Sequence, residues 1–214
     1  MAFTVPLPRS PLGDDGTGTG AADGLGDGLG DGGLMRWYER ELGWTAVPGP
    51  PVQLVTGLRF DVLELPAAAG RGVLRRVGAA TGPVALMGRR MRLLVAPGGA
   101  EELPGLLDWL EWGGISLDLA ALGTDGRMTA PPPPGRGGSG APGAAVWLRA
   151  PEPGREVEAS LPALRSAPWG RADAPCLVRL VAAAAVECHR ARLLSARARG
   201  PAPQQLSPQR LASS

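Results

Sequence analysis

The chain has 214 residues, with 33 glycines, 23 prolines and a formal net charge of +2. This length suits one sizeable domain with tails, and the near-neutral charge excludes a protein that attracts nucleic acid through a global basic field. Every basic residue except one histidine is arginine, and lysine and asparagine are absent, as is typical of GC-rich bacterial coding sequences. The abundance of arginine is therefore weak evidence for phosphate recognition by itself.

The first part of the chain, residues 1–33, is rich in glycine and aspartate and carries little apolar area to bury. Such a composition predicts a disordered tail, because little apolar burial offsets the loss of chain entropy. The stretch D-G-L-G-D-G-L-G-D-G-G also suggests a calcium-binding repeat, but those repeats have about nine residues and come in several copies. Residues 200–214 are predicted to form a second disordered tail.

The first ordered elements are predicted between residues 34 and 66. Residues 34–42 read L-M-R-W-Y-E-R-E-L and predict a short helix, which Gly43 ends. Residues 58–65 are apolar apart from one arginine and two acids, which predicts the strongest strand of the chain. Pro66 cannot donate to a strand ladder, so the strand should end there.

A helix and a hairpin are predicted next. Residues 67–78 suit a helix with its valines and leucine facing inward. Residues 83–86 and 91–96 predict the two strands of a hairpin that turns at Gly88 and Arg89. These elements mix helix and strand, which predicts an α+β or α/β core.

Residues 103–112 predict a helix whose core face follows the helical period and consists of Leu103, Leu106, Leu107 and Leu110. Trp109 and Trp112 lie roughly on the opposite side of this helix. They suit stacking against bases or anchoring a partner, but burial beneath the C-terminal segment is the favoured interpretation. Residues 115–119 and 126–130 predict the last strands of the core.

The remainder of the chain predicts a long helix after a proline-rich region. Residues 131–145 suit a flexible loop, residues 146–148 a short strand and residues 150–175 an irregular segment. Residues 176–199 predict a helix with one apolar stripe that packs on the core. The stripe consists of Leu177, Leu180, Val181, Ala184, Cys188, Ala191 and Leu194. The whole pattern predicts an α+β fold with a docked C-terminal helix.

The two cysteines, Cys176 and Cys188, are 12 residues apart on this predicted helix. At about 1.5 Å per residue they lie about 18 Å apart, too far for a disulfide. Reduced thiols suit a cytoplasmic protein, and the sequence has no secretory signal and no apolar run long enough to span a bilayer. His189 is predicted to lie on the surface, because no second histidine or Cys-x-x-Cys pair completes a zinc site.

Two aspartates and a group of arginines are the candidate site residues. Asp61 lies inside an apolar strand, where a carboxylate is costly unless it is paired or binds a metal. It is therefore either a metal ligand or the partner of Arg59 or a neighbouring arginine. Asp118 lies in the strand predicted at residues 115–119. Three arginines around the hairpin turn either bind phosphate through bidentate contacts or lie in solvent: Arg89, Arg90 and Arg92.

The order of these segments resembles a known family. The strand in T-G-L-R-F-D-V-L-E-L-P is followed by a Gly-Arg turn that enters another strand, by one aspartate in G-I-S-L-D-L, and by an Ala-Pro-Pro stop in A-P-P-P-P. Over residues 34–150 this series resembles the bifunctional primase/polymerase (prim-pol) domain of the archaeo-eukaryotic primase superfamily. The resemblance implies a primase-like mixed β-sheet with flanking helices, with residues 151–199 as a further segment packed on the core.

The resemblance also implies a metal site. Prim-pol proteins hold metal ions for nucleotidyl transfer with a D-x-D pair on a strand and a further aspartate, which implies Mg²⁺ or Mn²⁺ at Asp61 and Asp118. The second acid of the pair is missing, because Leu63 stands two residues after Asp61. Glu64 stands three residues after it, and an odd offset places it on the other face of the strand.

The family's catalytic histidine is missing as well. In the matching segment, G-R-R-M-R-L, Arg90 or Met91 stands in its place, and the chain's one histidine, His189, lies far away. The resemblance implies a stand-alone, catalytically degenerate prim-pol-like protein that retains binding of nucleotide or DNA, and it leaves open whether the protein is an enzyme. The alternative is a non-enzymatic interaction or regulatory module that docks a protein partner through the basic C-terminal helix, Trp109 and Trp112.

Overall fold

The computed structural model describes residues 29–136, 143–154, 157–164 and 175–198. The helices are α1 (Asp31–Trp37), α2 (Ala67–Val77), α3 (Gly99–Trp109) and α4 (Leu177–Ala198). The strands are β1 (Ala46–Val47), β2 (Gln53–Val55), β3 (Asp61–Pro66), β4 (Val84–Met87), β5 (Arg90–Val95), β6 (Ala120–Leu122), β7 (Arg127–Thr129) and β8 (Ala145–Arg149). A π-helical turn, Tyr38–Leu42, extends α1, and 3₁₀ turns cover Gly78–Thr81 and Val157–Ser160. The α+β class predicted from the sequence is confirmed.

Two antiparallel sheets form the framework. The larger sheet has the strand order β6-β3-β5-β4-β8, and the smaller sheet has the order β1-β2-β7. All pairs between these strands are antiparallel, so the mixed sheet that we expected is not found among the described strands. An isolated parallel bridge joins Ala163 to Cys176 just before α4.

The central strands of the larger sheet are buried on both faces. Leu63 of β3 and Leu93 of β5 lie in a core shared with α2, α3 and α4. Val62 and Leu94, their neighbours in sequence, lie in a second core shared with the smaller sheet. Because successive side chains of a strand point to opposite faces, a strand that is covered on both faces has a nearly continuous apolar sequence. This accounts for the apolar run that predicted β3.

An aromatic cluster lies in the second core. The ring of Trp44 is 4.4 Å from that of Phe60 and 6.0 Å from that of Tyr38. The Tyr38 hydroxyl donates to the carbonyl oxygen of Pro131 at 2.6 Å and accepts from the indole N–H of Trp147 at 3.1 Å. Burial raises the pKa of Tyr38 above its ordinary value, although the bond from Trp147 opposes the change. These contacts join the end of α1, the Ala-Pro-Pro segment and β8.

Helix α2 approaches its neighbours closely at two glycines. A Cβ atom at Gly70 would lie 2.2 Å from the sulfur of Met91, and one at Gly72 would lie 2.2 Å from a carboxylate oxygen of Glu187. The first glycine lets α2 lie directly on β5, and the second lets α4 cross close to α2. Glu187 is buried, and its carboxylate accepts a hydrogen bond of 2.6 Å from Arg76 of α2. The α2–α4 contact therefore combines close backbone packing with an ion pair.

Several boundaries differ from those predicted. Helix α1 begins at Asp31, inside the segment 1–33 that we expected to be a tail. Helix α3 begins at Gly99 rather than at residue 103, directly after Gly98, which adopts a left-handed φ of 86°. The strand predicted at residues 115–119 is a coil, and β6 follows it. Residues 1–28 and 200–214 of the predicted tails lie outside the described residues.

Helix α4 packs on the core along its first half. Leu177, Leu180 and Val181 are almost completely buried, as the predicted stripe requires. Leu194, at the end of the stripe, is 56% exposed, because the last turns of α4 extend past the covering elements into solvent. Among the described helices, none has both the length and the hydropathy that crossing a bilayer requires.

The burial pattern of α4 predicts unequal effects for two leucine truncations. Leu180→Ala removes a fully buried side chain and should lower the free energy of unfolding by about 2–5 kcal/mol. Leu194→Ala, the matched control, should change it by less than about 0.5 kcal/mol, as should Arg197→Ala. Urea unfolding of the three variants measures this, and a Leu180→Ala variant as stable as the control would show that α4 is not part of the core.

Candidate functional site

Asp61 lies at the start of β3 and is completely buried. Its Oδ2 accepts a hydrogen bond of 3.0 Å from the backbone N–H of Ala100 in the first turn of α3. The N–H groups at a helix N-terminus lack partners within the helix and carry partial positive charge, so they favour a carboxylate. Arg59, the partner that we considered for Asp61, binds Glu158 at 2.6 Å instead. Asp61 therefore caps α3.

The surroundings of Asp61 disfavour its charged form. Burial raises the pKa of its carboxyl group, the hydrogen bond from Ala100 opposes this change, and the negative charge of Glu101 adds to it. No hydrogen bond of good geometry reaches Oδ1 in the described part of the chain. The charge on Asp61 is therefore unfavourable to the folded state at neutral pH.

Asp118 lies at the other end of β3 from Asp61. Strands β6 and β3 pair with Ala120 opposite Glu64, so Asp118, in the coil before β6, lies beyond the Glu64 end. Strand β3 has six residues, and at about 3.3 Å per residue its ends are roughly 16 Å apart. The two aspartates are therefore too far apart to share the metal ions that the resemblance implies.

The side chains do not fit the Mg²⁺ or Mn²⁺ that the resemblance implies. Asp61 faces a helix N-terminus, whereas Asp118 binds an arginine at the opposite end of the strand. In the described ranges, no group of three or more His, Cys, Asp or Glu side chains is arranged to hold a metal ion. Two-metal nucleotidyl transfer therefore has no ligand set in this part of the molecule.

Glu64 is the centre of an ion-pair network. Its Oε1 accepts from Nε of Arg90 at 3.1 Å, and its Oε2 accepts from Nε of Arg92 at 2.8 Å. Nη1 of Arg90 also donates to Oδ1 of Asp118 at 2.7 Å. The register of β3 and β5 places Glu64 directly opposite Arg92, and directly paired residues on one face of a sheet interact strongly. We call these four residues the Glu64 network.

The Glu64 network fixes two of the three arginines expected to bind phosphate. Burial by itself would raise the pKa of Glu64, but the hydrogen bonds and charges of Arg92 and Arg90 outweigh it and hold the pKa below its ordinary value. Arg92 is 13% exposed and binds Glu64, so it is not available to a phosphate in solvent. Arg90 is 31% exposed and keeps one end of its guanidinium near the surface.

The hairpin turn positions Arg89 beside α2. Gly88 adopts a left-handed φ of 55°, which glycine reaches at little cost. The carbonyl oxygen of Arg89 then accepts a hydrogen bond of 2.8 Å from the N–H of Ala67, the first residue of α2. This bond gives a partner to an N–H that has none within the helix. The turn and the start of α2 are therefore held together.

A cavity of about 730 Å³ lies between α2, this turn, the coil before β6 and α4. We call it the arginine cleft. Its charged lining residues are Arg75, Arg89, Arg90, Asp118, Glu187, Arg190 and Arg192. Of the charged lining residues in the described ranges, five are arginines and two carry carboxylates, and the carboxylate of Glu187 already binds Arg76 outside the lining. The cleft therefore carries excess positive charge.

Three arginines of the cleft form no ion pair with any described residue: Arg75, Arg89 and Arg190. They come from α2, the hairpin turn and α4, and α4 is far from the other two in sequence. A guanidinium group binds phosphate or carboxylate through paired hydrogen bonds. The sequence patterns do not single out Arg75, and they indicate Arg190 only as part of the basic C-terminal helix, because nothing in the sequence shows that these elements meet.

The coil before β6 is anchored to α4. The thiol of Cys188 donates to the carbonyl oxygen of Asp118 at 3.6 Å, and the guanidinium of Arg192 donates to the carbonyl oxygen of Ser116. Burial, with a smaller contribution from the charge of Asp118, raises the pKa of the Cys188 thiol to about 12. Cys188 is therefore a protonated core side chain that fixes the backbone at one edge of the cleft.

The two tryptophans of the α3 region have different environments. Trp109 is 71% exposed, so the favoured prediction of its burial is wrong. Trp112 is partly buried, and its ring lies 5.7 Å from that of His189 on α4. His189, predicted to lie on the surface, is partly covered by this contact. Trp109 is thus an exposed aromatic side chain, whereas Trp112 helps to hold α4.

A second cavity, of about 620 Å³, is lined in part by Arg149. Nη1 of this arginine donates to the carbonyl oxygens of Gly78 and Ala79 at 3.1 and 3.3 Å and also contacts the Thr81 hydroxyl. Its guanidinium is therefore engaged by the backbone. Among the described residues that line this cavity, there is no group of unpaired arginines like that of the arginine cleft.

No protein-family model, curated protein or solved structure matches this chain. The function is therefore inferred from the geometry and charge of the cleft.

Asp61→Asn is expected to stabilise the fold, because it removes a buried charge and keeps an oxygen acceptor for Ala100. The pKa of Asp61 is raised in the folded state, so wild-type stability falls as the pH rises from the unfolded pKa through the folded pKa. The stability advantage of the variant should therefore be smallest at low pH and grow through this window.

Urea unfolding over a series of pH values measures that difference. Asp125→Asn is the matched control, because Asp125 is exposed in a turn with a left-handed φ of 61° that asparagine tolerates. The control should show no such dependence on pH. An Asp61→Asn variant that is less stable than the wild type throughout the window would contradict the assignment and show that the charge itself holds α3.

Proposed function

We propose that this protein binds a phosphate-bearing ligand, a nucleotide or a strand of nucleic acid, in the arginine cleft. The observation that carries the proposal is the convergence of Arg75, Arg89 and Arg190 on one cavity without a carboxylate partner among the described residues. Like charges held close together repel one another, and a bound anion removes that repulsion. A volume of about 730 Å³ also falls in the range of small-molecule sites.

The proposal extends to the family and the location. We propose that the chain is a catalytically degenerate relative of prim-pol proteins, supported by the order of the Asp61 strand, the Gly-Arg turn, Asp118 and the Ala-Pro-Pro stop. The separation of Asp61 from Asp118, and an arginine or methionine where the family has histidine, argue against catalysis. Free Cys176 and Cys188 fit a cytoplasmic protein.

Two arginine substitutions test the binding proposal. Arg89→Ala and Arg190→Ala should each weaken binding of a labelled single-stranded DNA oligonucleotide by about fivefold, since a single exposed charge contact contributes about 1 kcal/mol. Each should also reduce the slope of log K against log salt by about 0.7. Fluorescence anisotropy at several salt concentrations measures both quantities.

Arg127→Ala is the matched control for these variants. Arg127 is exposed on β7 of the smaller sheet and does not line the cleft, so its removal should leave affinity and salt slope almost unchanged. Equal weakening in all three variants would indicate general electrostatic attraction and refute the cleft as the site. Inorganic pyrophosphate that displaces the oligonucleotide would identify phosphate as the recognised group.

The purified protein is expected to lack template-dependent primer extension with Mg²⁺ or Mn²⁺. The physical reason is that Asp61 and Asp118 lie at opposite ends of β3, so these two carboxylates cannot together hold the ions for transfer. A primer-extension assay on denaturing gels measures this. Extension that appears in the wild type and disappears in Asp61→Ala would overturn the degenerate interpretation.

A protein-interaction role is a second candidate, and one observation favours it. Trp109 is 71% exposed, and Leu193 and Leu194 at the end of α4 are 50% and 56% exposed. Exposed tryptophans commonly anchor protein partners. A partner whose binding is lost in Trp109→Ser but kept in Arg89→Ala would favour this role over phosphate binding.

A further inference from the structure

Arg90 binds two carboxylates that differ in exposure and in how firmly the surrounding structure holds them. Its Nε binds Glu64, which lies on β3, is 20% exposed and is shared with Arg92. Its Nη1 binds Asp118, which lies in a coil and has a side chain that is 63% exposed. Asp118 lines the arginine cleft, and Glu64 does not. Glu64 is therefore a fixed partner of Arg90, whereas Asp118 holds the end of the guanidinium that faces the cleft.

The Asp118 side chain is free to leave without moving its backbone. The carbonyl oxygens of Ser116 and Asp118 are bound by Arg192 and Cys188 of α4, which fixes the chain on this side. Among the described residues, the Asp118 carboxylate accepts its hydrogen bond from Arg90. A rotation about its own side-chain bonds is therefore enough to release Arg90.

A phosphate group is a stronger partner for this site than Asp118. Exposed ion pairs such as that of Asp118 contribute little to stability. A phosphate carries more charge and more acceptor oxygens than a carboxylate, and it forms paired hydrogen bonds with guanidinium groups. In the same cleft it also meets Arg75, Arg89 and Arg190, which have no carboxylate partner among the described residues.

We propose that the Asp118 carboxylate occupies the position of a ligand phosphate group at Nη1 of Arg90, and that the phosphate displaces it on binding. This inference rests on the proposed function and locates the phosphate subsite within the cleft. Asp118 is then an internal competitor that sets the affinity of the cleft, rather than a metal ligand. Glu64 keeps the guanidinium of Arg90 in place while the two anions exchange.

The test measures binding of inorganic pyrophosphate, by titration calorimetry without divalent cations, to the full chain and its variants. Asp118→Asn removes the competing charge and should tighten binding by about twofold to fivefold, the fold-change that corresponds to one exposed ion pair. Asp118→Glu keeps a competing charge and should bind as the wild type does. Asp125→Asn, the same chemical change at an exposed turn outside the cleft lining, should have no effect.

The same substitution in a protein that also carries Arg90→Gln shows whether the competition acts through Arg90. In Arg90→Gln protein, Asp118→Asn should no longer tighten binding, because the contested guanidinium is gone. Thermal melting first checks that the Arg90→Gln protein is folded. If it is not, the comparison of Asp118→Asn with Asp118→Glu decides the question.

The outcomes separate this inference from the proposed function. If neither the wild type nor Asp118→Asn binds pyrophosphate, both the proposed function and the inference fail. If Arg89→Ala weakens binding but Asp118→Asn leaves it unchanged or weakens it, the cleft remains the binding site and the inference about Asp118 is wrong. If Asp125→Asn tightens pyrophosphate binding as much as Asp118→Asn does, the inference is also overturned, because the effect then comes from the net charge of the protein. If Mg²⁺ tightens pyrophosphate binding to the wild type and Asp118→Asn abolishes that tightening, Asp118 is a metal ligand. This result also overturns the inference.

Discussion

Burial of β3 on both faces is the constraint on which the rest of the structure depends. A strand with helices on one side and a second sheet on the other leaves little solvent for a charged side chain. Asp61 and Glu64, the two acids of β3, each require a partner from another element. Asp61 takes the N-terminus of α3, and Glu64 takes two arginines of β5. The position of α3 and the orientation of Arg90 follow from these requirements.

The sequence predicts local elements well where a single pattern decides them. The apolar run of β3, the hairpin with Gly88 at its turn and the long helix α4 all form close to the predicted residues. The sequence pattern is less informative where tertiary contacts decide whether a side chain is buried. Leu194 continues the periodic stripe of α4 but lies beyond the covering elements, and Trp109 is exposed because no described segment covers it. Periodicity shows which side of a helix is apolar, not how far its neighbours extend.

The candidate site is harder to predict, because its residues come from elements that are distant in sequence. The order of Asp61 and Asp118 in the sequence suggested a shared metal site, yet the β3–β6 register places them at opposite ends of the strand. Arg75 and Arg190 are unremarkable in a chain that uses arginine for all its basic side chains apart from one histidine. Their proximity depends on the crossing of α2 and α4, where Gly72 allows a close approach. A sequence motif does not encode such a crossing.

Helix α4 links folding to binding. Its first half supplies Leu180 to the core, and its second half supplies Arg190 and Arg192 to the cleft. The cleft is therefore complete only when the helix is docked. The proposed site includes residues from both of the predicted segments, 34–150 and 151–199. Any change that loosens α4 reduces the density of positive charge in the cleft, even when no arginine is altered.

The ionisation of the buried Tyr38 hydroxyl can be followed by absorbance spectroscopy. It joins the end of α1 to Pro131 and to Trp147 of β8, and Tyr38 is the chain's one tyrosine. Tyrosinate absorbs at longer wavelength than tyrosine, and the buried hydroxyl resists ionisation because its pKa is raised. An alkaline absorbance titration therefore reports on this one junction without any label. It distinguishes release of the N-terminal helix from opening of the cleft, which contains no tyrosine.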